Sequence, residues 1–496
     1  PFAPPRLSEP RNVDAAAQAA GLYYPPDPSS GRSAHIGGNL GTNAGGPHCF
    51  KYGVTTNYVT GLETVLASGE VVQFGGQALD YPEYDLCGLV VGSEGTLAVI
   101  TQADLRLIRT PPGVMTMMVA FESAEQAGQA VSAVIAAGLV PATLELMDQR
   151  GMRIIEEFTS AGLPVDAGAA LIVEVDGYPG SLHTQAEEVA DLLAANGGFD
   201  IRIAQSEAER AQIWYGRKSA AGALARLAPT YYLTDVTVRR SLLGETLRGV
   251  REICERYDVI TASFFHAGDG NLHPLIPMDP KDPKQIARVH QAAEAIFDLC
   301  LSLDGSITGE HGVGVEKRKF MAKMYDSTEL SAMYDVKQVF DPANRLNPGK
   351  VLPESVQPAV RVPARMPDES VWTPGDADEA AAGLRACTEA SRVVAISHAE
   401  FAGDAALRLS TAALQGVRVF APEDLFITVG AGMTVAEVQS ILAERGLQAA
   451  AAEPWPGATV GGLIAANING PERMRYGGLR DNLLCATVAL ADGRVI

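Results

Sequence analysis

Residues Ile36-Gly37-Gly38-Asn39-Leu40-Gly41-Thr42-Asn43-Ala44-Gly45-Gly46 contain, apart from Ile36 and Leu40, no side chain larger than asparagine. Backbone this bare can come close to a flat ligand and present its amide donors to it, so the stretch suits a large aromatic ring system. Glycine-rich turns are common, and on its own the segment reads equally as a structural turn. It is not on its own: Gly92-Ser93-Glu94-Gly95-Thr96-Leu97 supplies a second close-approach loop, and Asn347-Pro348-Gly349-Lys350 a third. From Tyr23 to about Arg109, glycine turns alternate with short β-branched runs such as Thr64-Val65-Leu66 and Leu97-Ala98-Val99-Ile100-Thr101, which predicts a sheet built around loops.

Beyond Pro111 the period changes. Helical 3.6-residue patterns over Glu122 to Ala137 and His183 to Ala195 alternate with strand-forming runs such as Ala170 to Val175, the mixture of an α+β domain. A proline-rich stretch, Pro353 to Pro374, reads as a linker. After it the first pattern returns. Laying Gly461-Gly462 over Gly37-Gly38 without gaps also stacks Asn467 on Asn43, Gly470-Pro471 on Gly46-Pro47, Tyr476-Gly477 on Tyr52-Gly53 and Gly493 on Gly69, at one constant offset of 424. One gap further upstream, Gly446-Leu447 pairs with Gly21-Leu22. Two copies of one module are therefore expected, each incomplete. They read as a piece of a longer fused protein, or as a permuted pair in which one copy completes the other.

Composition narrows the class. Hydrophobic residues make up 47% and charged residues 20%, ordinary values for a folded domain. The formal charge of −20 repels phosphate backbones and anionic headgroups, so no nucleic-acid partner is expected and an anionic substrate must be captured locally. No run approaches the roughly 18 apolar residues of a membrane span. The six cysteines (Cys49, Cys87, Cys254, Cys300, Cys387, Cys485) form no CxxC pair, so no iron–sulfur cluster is encoded. A reduced cytoplasmic setting, free or beside a membrane-linked complex, is expected, and Cys49 reads as a small buried residue.

Two further motifs carry chemistry. His266-Ala267-Gly268-Asp269-Gly270-Asn271-Leu272-His273 holds two imidazoles seven apart around a turn, and Thr308-Gly309-Glu310-His311-Gly312-Val313-Gly314 adds a carboxylate and a third imidazole. Nitrogen and oxygen ligands of this kind suit a divalent ion. A lone histidine is more often structural; four such groups in two glycine-flanked motifs are not.

Together with Tyr24 to Ser30 and Lys51-Tyr52-Gly53, these segments resemble the vanillyl-alcohol oxidase superfamily, in the branch that holds the D-type flavin chain of glycolate oxidase and D-lactate dehydrogenase, over about residues 12 to 352. The resemblance implies a PCMH-type FAD-binding domain with an antiparallel-sheet substrate (cap) domain. It implies that Gly37, Gly38, Asn43, Gly45, Gly46, Tyr52, Gly53, Glu94, Gly95, Thr96 and Asn347 lie along FAD. It makes His266, His273 and Glu310 ligands of a zinc or manganese ion, His311 the catalytic base and Arg217 the clamp for a substrate carboxylate. Where relatives acting on D-2-hydroxyglutarate place polar groups, this chain has Ala221 and Leu233, which favours a small substrate. The family's pyrophosphate-holding glycine loop is expected before Pro1.

The second copy resembles the start of the E-type chain of glycolate oxidase, with Ala395 to Gly403 in place of a glycine-rich phosphate loop. The expected organisation is the C-terminal half of a first FAD-binding domain (1–110), the cap domain with the metal site (111–335), a return segment (336–352), a linker (353–375) and an incomplete second module (376–496). The expected activity is FAD-dependent oxidation of glycolate or D-lactate to the 2-oxo acid, with electrons passing to a separate iron–sulfur subunit. The competing reading is a non-catalytic assembly or electron-transfer subunit of a glycolate oxidase complex.

Overall fold

Helix α1 (Ile36–Thr42) and the single turn α2 (Cys49–Tyr52) occupy the glycine-rich stretch. They lead into β1 (Val59–Val65), β2 (Val71–Gly75) and β3 (Val99–Leu105), which form an antiparallel sheet in the order β2-β1-β3. Strand β1 starts five residues before the Thr64–Leu66 run because both of its edges are paired, so ladder hydrogen bonds carry it past its β-branched core. Leu40, Leu62, Phe74, Val90 and Ala98 form the apolar core beneath this sheet. This coordinate set is a computed structural model that describes residues 9–31, 33–78, 83–397 and 407–496.

The larger sheet contains β4 (Gly113–Phe121), β5 (Thr143–Asp148), β6 (Ala169–Gly177), β7 (Phe199–Ile203), β8 (Thr230–Leu233), β9 (Val236–Thr237), β10 (Ala262–His266), β11 (Asn271–Leu272) and β12 (Pro274–Met278). Its order is β8-β12-β10-β5-β6-β4-β7, with β11 pairing both β9 and β10, and every pairing is antiparallel. Helices α3 (Ala124–Ala136), α4 (Gln149–Thr159), α5 (Pro179–Ala195) and α6 (Glu207–Lys218) pack on it.

Side chains alternate across a strand, so Ala170, Ile172, Glu174 and Asp176 of β6 share one face. Ala170 and Ile172 lie with Met118, Met147 and Phe264 under Ile155 of α4 and Trp214 of α6. One step further along, the same face turns polar. Thr116 and Thr143 flank Glu174 on the neighbouring strands, and Glu145 stands opposite His266. All five are buried.

The chain divides into two compact units, Pro1–Met324 with Lys337–Pro353, and Tyr325–Val336 with Glu354–Ile496. The second unit has a parallel sheet of β13 (Val371–Trp372), β14 (Val394–Ser397) and β15 (Leu407–Ser410) in the order β13-β15-β14, and an antiparallel pair β16 (Val417–Ala421) and β17 (Phe426–Val429). Of the Ala395 to Gly403 stretch, the part from His398 onward lies outside the described residues, as does the side chain of Ala221.

Helices α7 (Ala377–Glu389) and α8 (Val435–Ala443) precede α9 (Val460–Ala466) and α10 (Arg473–Tyr476). The last two begin and end 424 residues after α1 and α2, so the repeat read from sequence is a repeat of structure. Asn43 and Asn467 both close their helix in the left-handed region, at φ 55° and 46°. Gly53 and Gly477 both sit at φ 82°, Gly69 and Gly493 at 92° and 87°, and Gly21 and Gly446 at 69°. Among the described residues no helix is long and apolar enough to cross a membrane.

Candidate active site and flavin groove

Strand β10 ends at His266, the chain turns through Ala267 to Gly270, and β11 pairs back with Asn271 opposite His266. His273, two residues past Asn271, therefore returns to the side of His266, and the rings meet edge to face with centroids 5.1 Å apart. Glu310 completes the set: its Oε1 lies 3.3 Å from Nε2 of His266 and 3.3 Å from Nε2 of His273. Three ligands at bond lengths of about 2.0–2.1 Å in a tetrahedral zinc site stand about 3.3 Å apart, the spacing of Glu310 Oε1 from both imidazoles, and ligand atoms of all three residues lie within 4.8 Å of one another. His311 stacks on His273 at 5.0 Å with its Nε2 3.7 Å from Glu310 Oε1, and it alone of the four is substantially exposed, at 42% of its side chain.

Charge is distributed accordingly. Burial opposes a proton on His266, yet Glu145 and Glu310 hold that imidazole well above its usual range. Burial pulls His273 down. Glu310, in spite of burial, is held well below the carboxylate range by both imidazoles. Nδ1 of His273 is buried and has no hydrogen-bond partner among the described residues, with Asp235 Oδ1 at 3.6 Å.

A second layer, which the sequence reading did not single out, fixes these groups. Asp235 is fully buried and accepts from Thr308 Oγ1 (2.6 Å), Gly309 N (3.0 Å), His311 N (3.1 Å) and Lys317 Nζ (2.9 Å). Burial opposes its charge, but Lys317 leads the groups that hold the carboxyl well below its usual range. It also lies near His273 and His311, but a carboxylate committed to an ammonium and three other donors is an anchor for the 308–311 turn and a poor ion ligand. Glu145 is the other anchor. Its Oε1 accepts from Nδ1 of His266 and its Oε2 from Arg217 Nε at 2.8 Å, with Arg217 Nη2 also at 2.8 Å. Arg217 is thus a buried, paired arginine above the Phe264 ring, not an exposed one.

The flavin-side loops reach the same place. The Gly45 amide donates to Glu310 Oε2 at 2.8 Å, and a Cβ at Gly45 would stand 3.1 Å from that oxygen and 2.9 Å from the sulfur of buried Cys49. Glu94, itself at φ 52°, accepts from Val313 N (2.6 Å) and Gly314 N (2.8 Å), and its carbonyl accepts from Asn347 Nδ2 (2.5 Å). Gly312, at φ 82°, leaves the space this carboxylate needs, since a Cβ there would come 2.6 Å from it. Tyr52 donates to Asp176 at 2.6 Å, facing the larger sheet.

Gly37, Gly95 and Asn347 come together with Gly41, Ala98 and Arg345 along an open groove of about 440 Å³. Gly37, Gly38 and Gly41 have open space where a Cβ would stand, the bare surface a flat ring requires. The remaining expected cofactor residues are engaged within the protein. Asn43 Oδ1 accepts from Thr56 N, Thr96 O accepts from Lys337 Nζ, Gly46 packs on the Asp27 carbonyl, and Gly53 packs on Asn57.

Deeper under the same polar sheet end, Glu174 accepts from Arg210 Nε (2.8 Å), Trp214 Nε1 (2.8 Å) and Thr116 Oγ1, and lies 3.7 Å from His48 Nε2. Burial works against its charge, but His48 and Arg210 hold the carboxyl down at about 2.

The family description "FAD linked oxidases, C-terminal domain" matches residues 110–351, and "FAD binding domain" matches residues 11–75 and 369–496. The glycolate oxidase subunit GlcD of Escherichia coli (strain K12) is 43% identical over 341 residues, covering 69% of this chain and 68% of the relative. The chain belongs to the FAD-linked oxidases. This oxidase is also 41% identical to GlcD of Bacillus subtilis (strain 168), covering 70% of this chain and 74% of the relative. A probable mitochondrial D-lactate dehydrogenase of Danio rerio is 32% identical, covering 69% of each chain. Its fold is that of the vanillyl-alcohol oxidase type. Substrate-bound p-cresol methylhydroxylase superposes with a TM-score of 0.56 at 14% identity, covering 70% of this chain and 75% of that one. The 4-ethylphenol oxidase of Gulosibacter chungangensis in its isoeugenol complex gives 0.55 at 15% identity, with the same shares covered. The oxidase is an FAD-dependent oxidoreductase.

Proposed function

We propose that this oxidase converts a small 2-hydroxy acid, glycolate or D-lactate, to its 2-oxo acid. The observation that carries the reading is the convergence of His266, His273 and Glu310 beside an exposed His311, tied to the flavin-side loop through Gly45. The names of the glycolate oxidase and D-lactate dehydrogenase relatives point the same way. When bound, FAD would supply the acceptor for the hydride from substrate C2, and a zinc or manganese ion would make the 2-hydroxyl more acidic. His266, His273 and Glu310 would hold the ion, and the loops around Gly37, Gly95 and Asn347 would hold the flavin ring.

His311 accepts the hydroxyl proton, a task its exposure allows. Arg217 binds the substrate carboxylate through the N–H groups that Glu145 does not use. Asp235 and Glu94 keep the 308–314 turn in place while the proton moves. Electrons leave for a separate iron–sulfur subunit in a cytoplasmic glycolate oxidase complex. On this reading residues 369–496 are a fused module of the glycolate oxidase E-type.

Anaerobic glycolate, then D-lactate, is expected to bleach the flavin absorption band, and the faster of the two identifies the substrate. His311→Ala should lower the bleaching rate by roughly 10²- to 10⁴-fold while flavin and metal content stay constant. Unchanged turnover removes His311 from the reaction. Chelation should stop bleaching and leave the flavin bound.

A further inference from the structure

We propose that Glu145 is a positioning residue that couples the substrate arginine Arg217 to the metal ligand His266 through a single buried carboxylate. The inference rests on the metal-site reading above. Glu145 is fully buried in the middle of the larger sheet, and both of its oxygens are committed, Oε1 to Nδ1 of His266 and Oε2 to Nε and Nη2 of Arg217. The two contacts span 121 and 72 residues of chain, and the strand pairing of Glu145 opposite His266 sets the first of them.

A carboxylate only accepts hydrogen bonds, so Glu145 requires a proton on Nδ1 of His266, and Nε2, the atom 3.3 Å from Glu310, is then the nitrogen on which a cation can take the place of a proton. The same carboxylate takes the Nε edge of Arg217. The guanidinium is then held in plane with its far N–H groups presented outward, ready for a bidentate contact with a second carboxylate. One residue thereby fixes the tautomer of a ligand and the orientation of the clamp. A structural ion pair with Arg217 alone would leave the contact of the other oxygen with His266 without a purpose.

Glu145→Gln is nearly isosteric and separates these roles. Facing Arg217, the amide must offer its oxygen, so its NH₂ points at Nδ1 of His266 and drives the proton to Nε2, where it blocks the cation. On the flavin-loaded full chain, titrated with Zn²⁺ against a chromophoric chelator, E145Q is expected to weaken zinc binding about 10- to 100-fold. At saturating zinc, the KM for glycolate should rise as well, and Glu145→Asp, which keeps an acceptor-only group, should recover zinc affinity to within about tenfold of the parent.

Zinc affinity of E145Q within twofold of the parent overturns the proposal. His266→Ala distinguishes the two layers of the argument. If it leaves zinc binding intact, or if the parent takes no zinc, the metal-site reading falls and takes the proposal with it. If His266→Ala loses zinc and E145Q does not, the proposal alone falls. A measurement on the unmodified chain guards against misfolding of the variants: ¹⁵N-histidine spectra, with His266 assigned from the alanine variant, should show a proton on its Nδ1 in the zinc-bound protein. A bare Nδ1 overturns the proposal.

Discussion

The glycine module of residues 36–53 and its copy at 460–477 have the same backbone and different surroundings. Each has a seven-residue helix closed by a left-handed asparagine, then a one-turn helix closed by a glycine at φ 82°. In the first copy Gly45 donates to Glu310 and Tyr52 to Asp176, so the module is fastened to a buried polar site. In the second, Asn469 stands in the place of Gly45 and bonds to Asn467 O and Leu479 N within its own loop, while Tyr476 is exposed. A motif's conformation is set by the few residues that tolerate positive φ, whereas its chemistry depends on what is packed against it.

The sharpest way to break this contrast is to exchange the two residues. Gly45→Asn puts a side chain where a Cβ already comes within 3.1 Å of Glu310 Oε2, so kcat/KM for glycolate should fall about 10- to 100-fold. Overpacking should also cost about 1–3 kcal/mol in urea unfolding. Asn469→Gly should leave kcat/KM unchanged and cost about 1 kcal/mol through the lost bond to Leu479 N. Equal kinetic effects from the two exchanges would erase the distinction between the copies.

A second difference is acid sensitivity. Burial opposes the charge of Glu174, beneath the first copy's partner sheet, yet His48 and Arg210 lower its carboxyl from 4.5 to about 2. A lowered folded value means stability that is fully present above pH 4.5 and is lost as pH falls towards 2. That shift corresponds to about 3 kcal/mol at neutral pH. Glu174→Gln should therefore reduce stability at pH 7 and flatten the decline between pH 4.5 and 2, while hydrogen exchange across 460–477 stays as it was. A variant with an unaltered acid limb would remove Glu174 from the account.

The smallest expected effect tests what the copies share. Asn43→Ala and Asn467→Ala each place a Cβ-bearing residue without a local hydrogen bond in the left-handed region, at about 1 kcal/mol apiece. Asn43→Ala should lose about 0.5–1.5 kcal/mol more, because it also removes the Oδ1 that accepts from Thr56 N. Local hydrogen exchange on the full chain reads both losses.

How much of this was legible follows the same division. The repeat was readable because its glycines, asparagines and tyrosines recur at one constant offset; its helices were not, since Ile36 to Gly46 read as a turn and the structure winds Ile36–Thr42 and Cys49–Tyr52 into helix. His266, His273, Glu310 and His311 were readable because they lie in two short motifs, and the structure brings all four together. Glu145, Glu174 and Asp235 were not. In Thr143 to Asp148 and Ala169 to Gly177, acidic residues alternate with aliphatic ones, the pattern of a strand with one face in water. Only the burial of Glu145 and Glu174 in the folded sheet shows that this face is enclosed, and only then do Arg217, Arg210 and His266 appear as the partners that make buried carboxylates tolerable. Arg217 was singled out for a ligand that would approach it; its protein partner lies 72 residues away, beyond any local pattern.

The bond from Gly45 to Glu310 closes a loop of 265 residues, against 36 for Glu174 to Arg210 and 121 for Glu145 to His266. Loop closure of that span is paid for late, after the local contacts of the sheet have formed. During synthesis the large sheet can therefore assemble with Glu145 and Glu174 paired before the 308–314 turn leaves the ribosome, whereas Asp235 waits for Thr308 to Lys317. The site around Glu310 is then completed late, when the 308–314 turn closes on Gly45 and Glu94 and the Lys337–Pro353 segment returns to the same unit.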